Sequence, residues 1–488
     1  MGEHILVLDA GTTSTRAMVF CAADGAMVGM AQQGLTQHYP QPGWVEHDAE
    51  EILSRTLACA REAVGQCKVA IAAVGITNQR ETVVAWDRTT GAALARAIVW
   101  QDRRTADVCS ALKDAGHEQA VQARTGLLLD PYFSATKMRW LLDHSGEVRA
   151  AAARGTLAFG TVESWLAWHL SGGAHVSDAS NASRTLLLAL DGAQFDAGLC
   201  DLFGVPPAAL PEVVDTHGRM ADCVPDLLGQ AIPICGLVGD QQSATIGQGC
   251  LSPGDTKATY GTGAFVLTNM GRAQPRSAHR LLGTVLSQEG GERHYALEGS
   301  CFVAGSLVQY LRDQLGIIGS APETEALARS IPDSGEVVVV PALSGLGAPH
   351  WQPEARGVIS GLSFASGRAQ IARAALEAMA HQTHDLARAF AADGAAWSRL
   401  NIDGGMSAND WMAQDLADIL DLPVERPDFV ETTALGAAIC ASVGAGLHPD
   451  LASAARAMRG PARGFAPAMA KMVREDRLAR YARALAAA

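Results

Sequence analysis

Residues 5–20, ILVLDAGTTSTRAMVF, decide the fold. The apolar run Ile5–Leu8 ends in the polar stretch 9–14, and a second apolar run, Ala17–Phe20, follows at once. Two short apolar runs separated by a Gly-containing polar turn predict a β-hairpin rather than a strand that leads into a helix. The pattern returns at residues 254–267, GDTKATYGTGAFVL. This recurrence predicts two related lobes, each opened by a hairpin.

Short β-branched runs alternate with longer helical patterns along the rest of the chain, which predicts an α/β fold. The stretch 247–254, GQGCLSPG, is rich in turn-forming residues and is our candidate boundary. We therefore expect one domain over residues 1–249 and a second over residues 250–488. Residues 368–391 have the apolar spacing of one long helix, and the Ala-rich tail 450–488 predicts peripheral helices.

Composition limits the class of protein. The chain has 488 residues and a formal net charge of −13, which argues against nucleic-acid binding and against a polybasic membrane surface. No apolar stretch is long enough for a membrane helix, and the N-terminus lacks the basic region of a signal peptide. The ten cysteines include no C-x-x-C pair and predict free thiols. We expect a cytoplasmic protein that neither binds nucleic acid nor inserts into a membrane.

Several common catalytic motifs are absent from the sequence. There is no Gly-Lys pair, hence no Walker A loop, and there is no G-x-G-x-x-G, H-E-x-x-H or G-x-S-x-G. The sequence therefore argues against nucleotide binding through a P-loop or a Rossmann turn.

The first hairpin turn has the chemistry of a phosphate site. Gly11 permits close approach of the backbone, and the hydroxyl groups of Thr12, Thr13 and Ser14 can line a phosphate beside the cation Arg16. Asp9 stands at a strand end, where a carboxylate can hold Mg²⁺ through water. The alternative is an ordinary hairpin with a polar turn.

Two further turns follow apolar runs. Residues 236–242, GLVGDQQ, deliver Asp240 to the end of a predicted strand, where it can act as a general base for a hydroxyl or simply cap a helix. Residues 402–409, IDGGMSAN, place two glycines after a strand, which suits a loop over a flat ring or ribose, or an ordinary turn.

A fourth group combines charges with aromatic side chains. Arg80 and Glu81 together offer donors and acceptors, as a small polyol requires, because each of its hydroxyl groups both donates and accepts. Trp100 and Tyr132 can pack on the carbon backbone of such a molecule. The alternative is a surface ion pair beside core aromatics.

The motifs are far more specific in combination than singly. From residue 9 to residue 405 the chain contains, in order, DAGTTSTRA, GWVEHD, GITNQRET, AIVWQDRRT, DPYFSATKMRW, GDQQSA, YGTGAF, ALEG, GLGAP and DGG. This series resembles the FGGY carbohydrate kinases over nearly the whole chain, and it thins after about residue 445. Residues 132–140 and 357–380 resemble the two general signatures of that family. QRE, WQDRR and DPYFS resemble the members that act on glycerol rather than on a pentulose.

The resemblance implies two actin-like, ribonuclease-H-like lobes with ATP bound in the cleft between them. It implies phosphoryl transfer from Mg-ATP to glycerol, with Asp240 as the catalytic base and Asp9 near Mg²⁺. By similarity the polyol pocket comprises Arg80, Glu81, Trp100, Tyr132, Asp240, Gln241 and Phe265. The nucleotide would be held by Thr12, Thr13, Ser14, Arg16, Thr262, Gly305, Gln309, Gly405 and Asn409.

Two other activities remain open at this point. One is a related kinase for dihydroxyacetone, erythritol or a pentulose. The other is an actin-like ATPase that uses nucleotide only as a conformational switch and has no polyol substrate. The switch would give residues such as Arg80, Glu81 and Trp100 no purpose.

The chain departs from the family pattern in a few places. Ala10 stands where many members that act on glycerol have Gln, and His350 stands where Tyr is common. The segment 226–233, DLLGQAIP, lacks the longer Gly-rich, basic loop with which some members bind fructose 1,6-bisphosphate. We therefore predict weak or no inhibition by that sugar. Family members are often dimers or tetramers, so the resemblance also implies a homo-oligomer.

Overall fold

The structure, a computed structural model, describes residues 3–352 and 354–488. Its strands are β1 His4–Ala10, β2 Ser14–Cys21, β3 Met27–Gly34, β4 Glu46–His47, β5 Ile71–Asn78, β6 Val84–Asp87, β7 Ala97–Ile98, β8 Leu157–Gly160, β9 Val176–Asp178, β10 Glu212–Val214, β11 His217–Asp222, β12 Pro233–Gly239, β13 Thr256–Tyr260, β14 Ala264–Gly271, β15 Leu282–Glu289, β16 Glu292–Cys301, β17 Val338–Val340, β18 Val358–Ser360, β19 Leu400–Asp403, β20 Val424–Pro427 and β21 Ala462–Phe465.

Helices connect and cover these strands. They are α1 Ala49–Cys67, α2 Ala106–Asp114, α3 Glu118–Thr125, α4 Ser134–His144, α5 Gly146–Arg154, α6 Val162–Ser171, α7 Ala179–Ala182, α8 Ala197–Phe203, α9 Pro225–Leu228, α10 Asp240–Gly247, α11 Gly305–Asp313, α12 Glu323–Arg329, α13 Arg368–Ala392, α14 Asp410–Leu420, α15 Thr432–Gly444, α16 Leu451–Met458 and α17 Lys471–Leu485. Short 3₁₀ helices span Pro207–Ala209 and Gly405–Ala408. The helix predicted over residues 368–391 is confirmed as α13.

Two large sheets share one design. The first has the order β11-β12-β5-β1-β2-β3 and the second the order β15-β16-β14-β13-β19-β20-β21. In each sheet, the opening strand pairs antiparallel with the next strand of the chain and parallel with a strand much later in the chain. The predicted hairpins are β1–β2 and β13–β14. The expectation of two related α/β lobes is therefore confirmed.

The first sheet is buried on both faces, which explains the unbroken apolar run at its centre. Leu6 and Leu8 pack in one cluster with Ile52 of α1 and Trp165 of α6. Their neighbours on the opposite face pack with α15 and α16, in a cluster that includes Ile5, Val7, Ala437, Ile439 and Met458. An alternating strand with one wet face would not bury all four side chains of the run.

A segment from late in the chain therefore covers the first sheet. The approach of α15 is close enough that a Cβ on Gly75 would lie 2.6 Å from the Ala437 carbonyl oxygen. On the neighbouring strand, a Cβ on Gly236 would lie 2.8 Å from the Ala441 nitrogen. Glycine at these two positions lets the helix backbone meet the sheet. The division at residues 249 and 250 stays a prediction, and it does not describe this return of 432–458 to the first sheet.

The tail is more than the predicted peripheral helices. It forms α16 and α17, but it also adds β21, which pairs antiparallel with β20 at the edge of the second sheet. The helices are confirmed, but the strand was not predicted, because residues 462–465 have too few apolar positions for a clear strand pattern. All ten cysteines are free, as predicted. Within residues 3–352 and 354–488, no helix has the length and apolarity needed to span a membrane.

Candidate functional site

The first hairpin presents a buried carboxylate beside an arginine. Strand register sets Asp9 opposite Arg16, and Asp9 Oδ2 accepts from Arg16 Nη2 at 2.5 Å. The other end of the same guanidinium donates to Glu431 Oε2 at 2.5 Å. Burial raises the pKa of Asp9, and Arg16 opposes that rise. The turn thus carries a carboxylate whose charge is only partly compensated.

The turn itself is built from backbone and hydroxyl groups. The amide of Gly11 donates to the carbonyl oxygen of Ser14 at 3.0 Å, which closes the turn. Thr13 is exposed, and Ser14 Oγ accepts from Gln32 Nε2 at 3.0 Å. Thr12 Oγ1 accepts from Trp100 Nε1 at 3.0 Å. The predicted phosphate turn therefore touches the predicted polyol pocket.

Three half-buried aromatic side chains from distant parts of the chain meet at this pocket. Trp100 and Tyr132 have ring centroids 5.6 Å apart at 74°. Trp100 and Phe265 have ring centroids 6.3 Å apart at 79°. These edge-to-face arrangements make apolar walls of fixed shape. Phe265 comes from the second lobe, so the two lobes share the pocket.

Arg80, two residues beyond β5, stands at the centre of the site. Its Nε lies 3.1 Å from Asp240 Oδ1, and its Nη2 donates to the hydroxyl of Tyr132 at 3.5 Å. A Cβ on Gly239 would lie 2.8 Å from Arg80 Cγ and Cδ, so glycine at this position leaves room for the Arg80 side chain. Arg80 and Glu81 are 3% and 1% exposed. The alternative of a surface ion pair was therefore wrong.

Glu81, the next residue, has an unusual backbone conformation. Its φ of +62° lies in the left-handed region, which a residue with a Cβ seldom adopts. Its Oε1 accepts from Arg184 Nε at 2.7 Å rather than pairing with Arg80. Burial raises the pKa of Glu81, while Arg80 and Arg184 lower it. Strain of this kind at a buried charge is typical of a functional position.

Asp240 is the first residue of α10, and Gly239 occupies the N-cap position. The alternative that Asp240 caps the helix was therefore wrong. The side chain is 31% exposed, and its Oδ1 accepts from the Gln241 amide at 2.7 Å. Loss of hydration raises the pKa of Asp240, with Arg80 and Lys257 acting in the opposite direction. A partly exposed carboxylate with a raised pKa suits a general base.

Gln241 is held from the other lobe. Lys257 Nζ, on β13, donates to Gln241 Oε1 at 2.6 Å and to Thr259 Oγ1 at 2.8 Å. Lys257 is fully buried, and that burial lowers its pKa. The amide of Gln241 is thus fixed by a buried residue of the second lobe.

The nucleotide residues predicted in the second lobe gather around its hairpin turn. The amide of Gly305, at the start of α11, donates to the Gly261 carbonyl oxygen at 2.8 Å. A Cβ on Gly305 would lie 2.6 Å from that oxygen, so this contact needs glycine. The carbonyl oxygen of Thr262 accepts from the amides of Ala304 and Ser306. The turn and the helix start therefore form one backbone-lined unit.

The Gly-Gly loop after β19 lies beside this unit. Gly404 has a φ of +84°, and a Cβ at this position would lie 2.5 Å from the Tyr260 carbonyl oxygen. The neighbouring Gly405 faces open space. Asn409 caps α14, with its Oδ1 accepting from the Met412 amide at 2.9 Å. Gln309 is exposed on α11. Among the hydrogen bonds of the described residues, none joins Gln309 to Asn409.

The carboxylates of the site do not make a metal centre by themselves. Among the described residues, no group of three His, Cys, Asp or Glu side chains has the geometry to hold a metal ion. Magnesium needs only one or two protein carboxylates when phosphate oxygens and water complete its shell. Asp9, a lone buried carboxylate at the phosphate turn, has the chemistry for that kind of site.

Three buried charges of the site were missed by sequence reasoning. Glu298 Oε2 accepts from Arg80 Nη1 at 2.5 Å, and Arg184 and Lys257 complete the surroundings. Glu298 lies within the ALEG motif and Lys257 just before the YGTG turn, so both had a weak signal. Arg184 had none. The pairing of these residues across the lobes needs the tertiary structure.

The two departures from the family pattern lie outside these contacts. Ala10 is buried in β1, and its carbonyl oxygen accepts from the Gln79 amide at 2.9 Å. His350 Nε2 lies 3.2 Å from Asp385 Oδ2.

The chain is similar to one known family over most of its length. The FGGY family of carbohydrate kinases matches twice, with its N-terminal domain over residues 4–247 and its C-terminal domain over residues 256–445. A glycerol kinase of Aromatoleum aromaticum is 54% identical, over 99% of this chain and 98% of that protein. A glycerol kinase of Rhodospirillum centenum is 54% identical, over 98% of this chain and 97% of that protein.

A solved structure agrees with these sequence matches. The crystal structure of Plasmodium falciparum glycerol kinase with ADP superposes with a TM-score of 0.94 at 33% identity, covering 100% of this chain and 98% of that chain. Both lobes and nearly every residue are therefore accounted for by one family. The chain belongs to the FGGY family of carbohydrate kinases.

Proposed function

We propose that this chain transfers the terminal phosphoryl group of ATP to glycerol and forms sn-glycerol 3-phosphate. One observation carries the proposal. Arg80 bridges the candidate base Asp240 to the aromatic pocket, and Trp100 of that pocket bonds to the phosphate turn at Thr12. Polyol, base and phosphate would thus meet within one cleft. The near full-length likeness to proteins named glycerol kinase supports this substrate.

Glycerol would be held by charged and apolar groups together. Arg80 and Glu81 donate to and accept from its hydroxyl groups, and Gln241 adds an amide. The rings of Trp100, Tyr132 and Phe265 cover its carbon atoms. A triol clamped in this way presents one terminal hydroxyl to Asp240, and such positioning supplies a large part of the rate of phosphoryl transfer.

Asp240 would then take the proton of that hydroxyl. Arg80 and the Gln241 amide both meet Oδ1, so we assign Oδ2 as the atom that accepts the proton. The hydroxyl oxygen forms a bond to the γ-phosphorus as the bond to the β,γ-bridging oxygen breaks, and ADP leaves. The raised pKa of Asp240 favours proton acceptance.

The nucleotide would lie between the two hairpin turns. Thr12, Thr13, Ser14 and Arg16 are proposed for the phosphates, and Thr262, Gly305, Gln309, Gly405 and Asn409 for the remainder. Asp9 would hold Mg²⁺ through water, and the ion would neutralise phosphate charge. Arg16 bridges Asp9 and Glu431, which holds its guanidinium beside Asp9.

The substrate is tested by measuring ADP release with glycerol, dihydroxyacetone, erythritol and D-xylulose in parallel. We expect glycerol to give the highest kcat/KM. A higher value with another polyol would support a related kinase of the same family. ATP turnover that no polyol stimulates would overturn the proposal and favour an ATPase switch.

The setting of the enzyme is also proposed. We expect it to act in the cytoplasm as a homodimer or homotetramer, without nucleic acid and without insertion into a membrane. The net charge of −13 supports the absence of a nucleic-acid partner.

A further inference from the structure

Five charged side chains form an unbroken chain of alternating sign beneath the pocket. Glu81 Oε1 accepts from Arg184 Nε at 2.7 Å, and Arg184 Nη2 donates to Glu298 Oε1 at 2.9 Å. Glu298 Oε2 accepts from Arg80 Nη1 at 2.5 Å, and Arg80 Nε lies 3.1 Å from Asp240 Oδ1. The predicted base and the predicted acidic ligand of glycerol are thus the two ends of one network, and Glu298 is its centre.

Glu298 comes from the second lobe, whereas the residues that it joins come from the first. It lies on β16, opposite Leu267 of β14. Side chains two residues apart on a strand share a face, so Glu298 lies on the same face of the second sheet as Phe265. One face of this sheet therefore supplies both an apolar wall and a carboxylate to the pocket.

The burial of Glu298 makes its partners obligatory. Its side chain is 0% exposed, as is that of Arg184. Burial acts to raise the pKa of Glu298, but Arg184 and Arg80 together outweigh it, with help from Lys257, and the pKa is lowered. The two guanidinium groups therefore favour the ionised form of Glu298. A buried carboxylate that accepts from two guanidinium groups fixes the plane of both.

We propose that Glu298 is a positioning residue for phosphoryl transfer. Glu298 accepts from Arg80 at two points, from Nη1 at Oε2 and from Nη2 at Oε1 (3.3 Å), and so fixes the guanidinium with Nε at Asp240. In this orientation Nη2 also reaches the Tyr132 hydroxyl on the side of the polyol pocket. Glu298 also holds Arg184, which in turn fixes Glu81. This inference rests on the proposed function, because Arg80, Glu81 and Asp240 are the groups assigned there to glycerol.

Loss of the Glu298 charge would free Arg80 to turn. A guanidinium with one remaining carboxylate partner favours a two-point contact with it. Arg80 would then pair with both oxygens of Asp240, which removes the atom that accepts the proton and draws Nη2 away from the pocket. Glycerol affinity and turnover would fall together, whereas the turns assigned to ATP would be unaffected.

The test compares Glu298→Gln with Glu298→Asp in the full-length protein. For Glu298→Gln we expect the glycerol KM to rise about 10- to 100-fold, the range for losing a buried hydrogen bond to a charged group, with kcat also reduced. The ATP KM should stay within about twofold of the wild-type value, because no ATP group depends on Arg80. Glu298→Asp keeps the charge but is one methylene shorter, so it should recover part of the glycerol KM.

Asp415→Asn is the matched control. Asp415 is a buried carboxylate that accepts from Arg477 at 2.6 and 2.9 Å, on helices that carry none of the pocket residues. The Asp415→Asn variant should lower stability, as Glu298→Gln does, but it should leave the glycerol KM unchanged. KM does not depend on the fraction of active protein, so it separates positioning from a loss of folded enzyme.

Two outcomes would overturn the inference. A wild-type glycerol KM in folded Glu298→Gln would show that Arg80 needs no support from the second lobe. Equal glycerol KM values for Glu298→Asp and Glu298→Gln, both raised, would show that side-chain shape rather than charge matters. If the wild-type enzyme does not turn over glycerol, the proposed function fails before either variant is measured.

Discussion

The two lobes open with the same hairpin, but equivalent positions carry different chemistry. Next to the first turn, Ala10 pairs with Thr15, and one step further Asp9 pairs with Arg16. Next to the second turn, Tyr260 pairs with Ala264, and one step further Thr259 pairs with Phe265. An ion pair in one lobe thus corresponds to a hydroxyl and an aromatic ring in the other. The shared backbone supplies the geometry, and under the proposed function Asp9 and Arg16 would serve the phosphates whereas Phe265 would serve the polyol.

The same division extends beyond the hairpins. The first lobe contributes the charges that would act on substrate, Asp9, Arg80 and Asp240. The second lobe contributes backbone turns, one wall of the pocket, and the buried side chains of Glu298 and Lys257 that hold first-lobe residues. The difference teaches that duplication of a fold does not require duplication of its chemistry.

The largest effect is expected at Asp240, the proposed general base in the first lobe. Asp240→Asn keeps the shape of the side chain but removes the proton acceptor, so kcat should fall by about 10²- to 10⁴-fold. Glycerol binding should persist, since the aromatic walls and Glu81 remain. Steady-state ADP release and direct titration with glycerol measure the two quantities. Near-normal turnover would refute the role of Asp240 as base.

The next largest effect is a difference between variants at Asp9 and Thr259, which occupy equivalent positions in the two hairpins. Asp9→Asn should lower kcat about 10²- to 10³-fold and raise the Mg²⁺ concentration needed for half-maximal rate, because the turn loses its carboxylate. Thr259→Val should change kcat less than about tenfold and leave the Mg²⁺ requirement unaltered. Rates over a series of Mg²⁺ concentrations check both. Equal Mg²⁺ requirements in the two variants would contradict the division between the hairpins.

Arg16 and Phe265 provide a second matched pair. Phe265→Ala removes apolar contact with the polyol carbons and should raise the glycerol KM about tenfold without changing the ATP KM. Arg16→Ala removes a cation from the phosphate turn and should raise the ATP KM while sparing the glycerol KM. Both constants are measured for both variants. A shift of the same constant in each would show that the two hairpins do not divide the substrates.

A smaller effect concerns the pH dependence of stability. It arises at Glu163, a first-lobe carboxylate that forms no ion pair among the described residues. Burial raises the pKa of Glu163 to about 7, although the hydroxyl groups of Ser177 and Thr161 oppose the rise. The folded protein therefore keeps this proton over a pH range in which the unfolded chain, where the side chain has its ordinary pKa of 4.5, has lost it. Stability should fall as pH rises from about 4.5 to 7, by at most about 3 kcal/mol.

Glu163→Gln tests this linkage. The amide cannot ionise, so the fall in stability should be reduced or absent in the variant. Urea unfolding of both proteins at pH 5.5 and pH 8 measures the difference. An identical dependence on pH in the two proteins would show that Glu163 does not titrate as described.

The smallest effect is expected for fructose 1,6-bisphosphate. The connection between β11 and β12 contains only α9 and a few further residues, with no long basic loop. We predict little or no change in initial rate on adding this sugar. Clear inhibition in the millimolar range would contradict the prediction and direct attention to another site.

Local sequence determined a large part of this protein. The hairpins at 5–20 and 256–267, the long helix α13 and the α/β class follow from apolar spacing and turn residues, which act over a few neighbouring positions. Part of the candidate site was found in the same way, since Asp9 and Asp240 each follow an apolar run. Arg80 was proposed for its chemistry beside Glu81 and, with the other pocket residues, by resemblance to the family. The geometry of the sheet brings strand ends together at one edge, so the chemistry of these residues can be read from sequence, although Asp9 and Arg80 are buried there.

Tertiary structure alone decided how these pieces meet. No local pattern announces that α15 returns to cover the first sheet, that Phe265 closes the pocket beside Trp100, or that Glu298 joins Arg80 to Arg184. Each of these contacts links residues far apart in the chain, and each is selected by burial. An apolar surface or a buried charge is stable only when other parts of the fold cover or pair it. Local spacing of residues does not indicate which distant part of the chain does so.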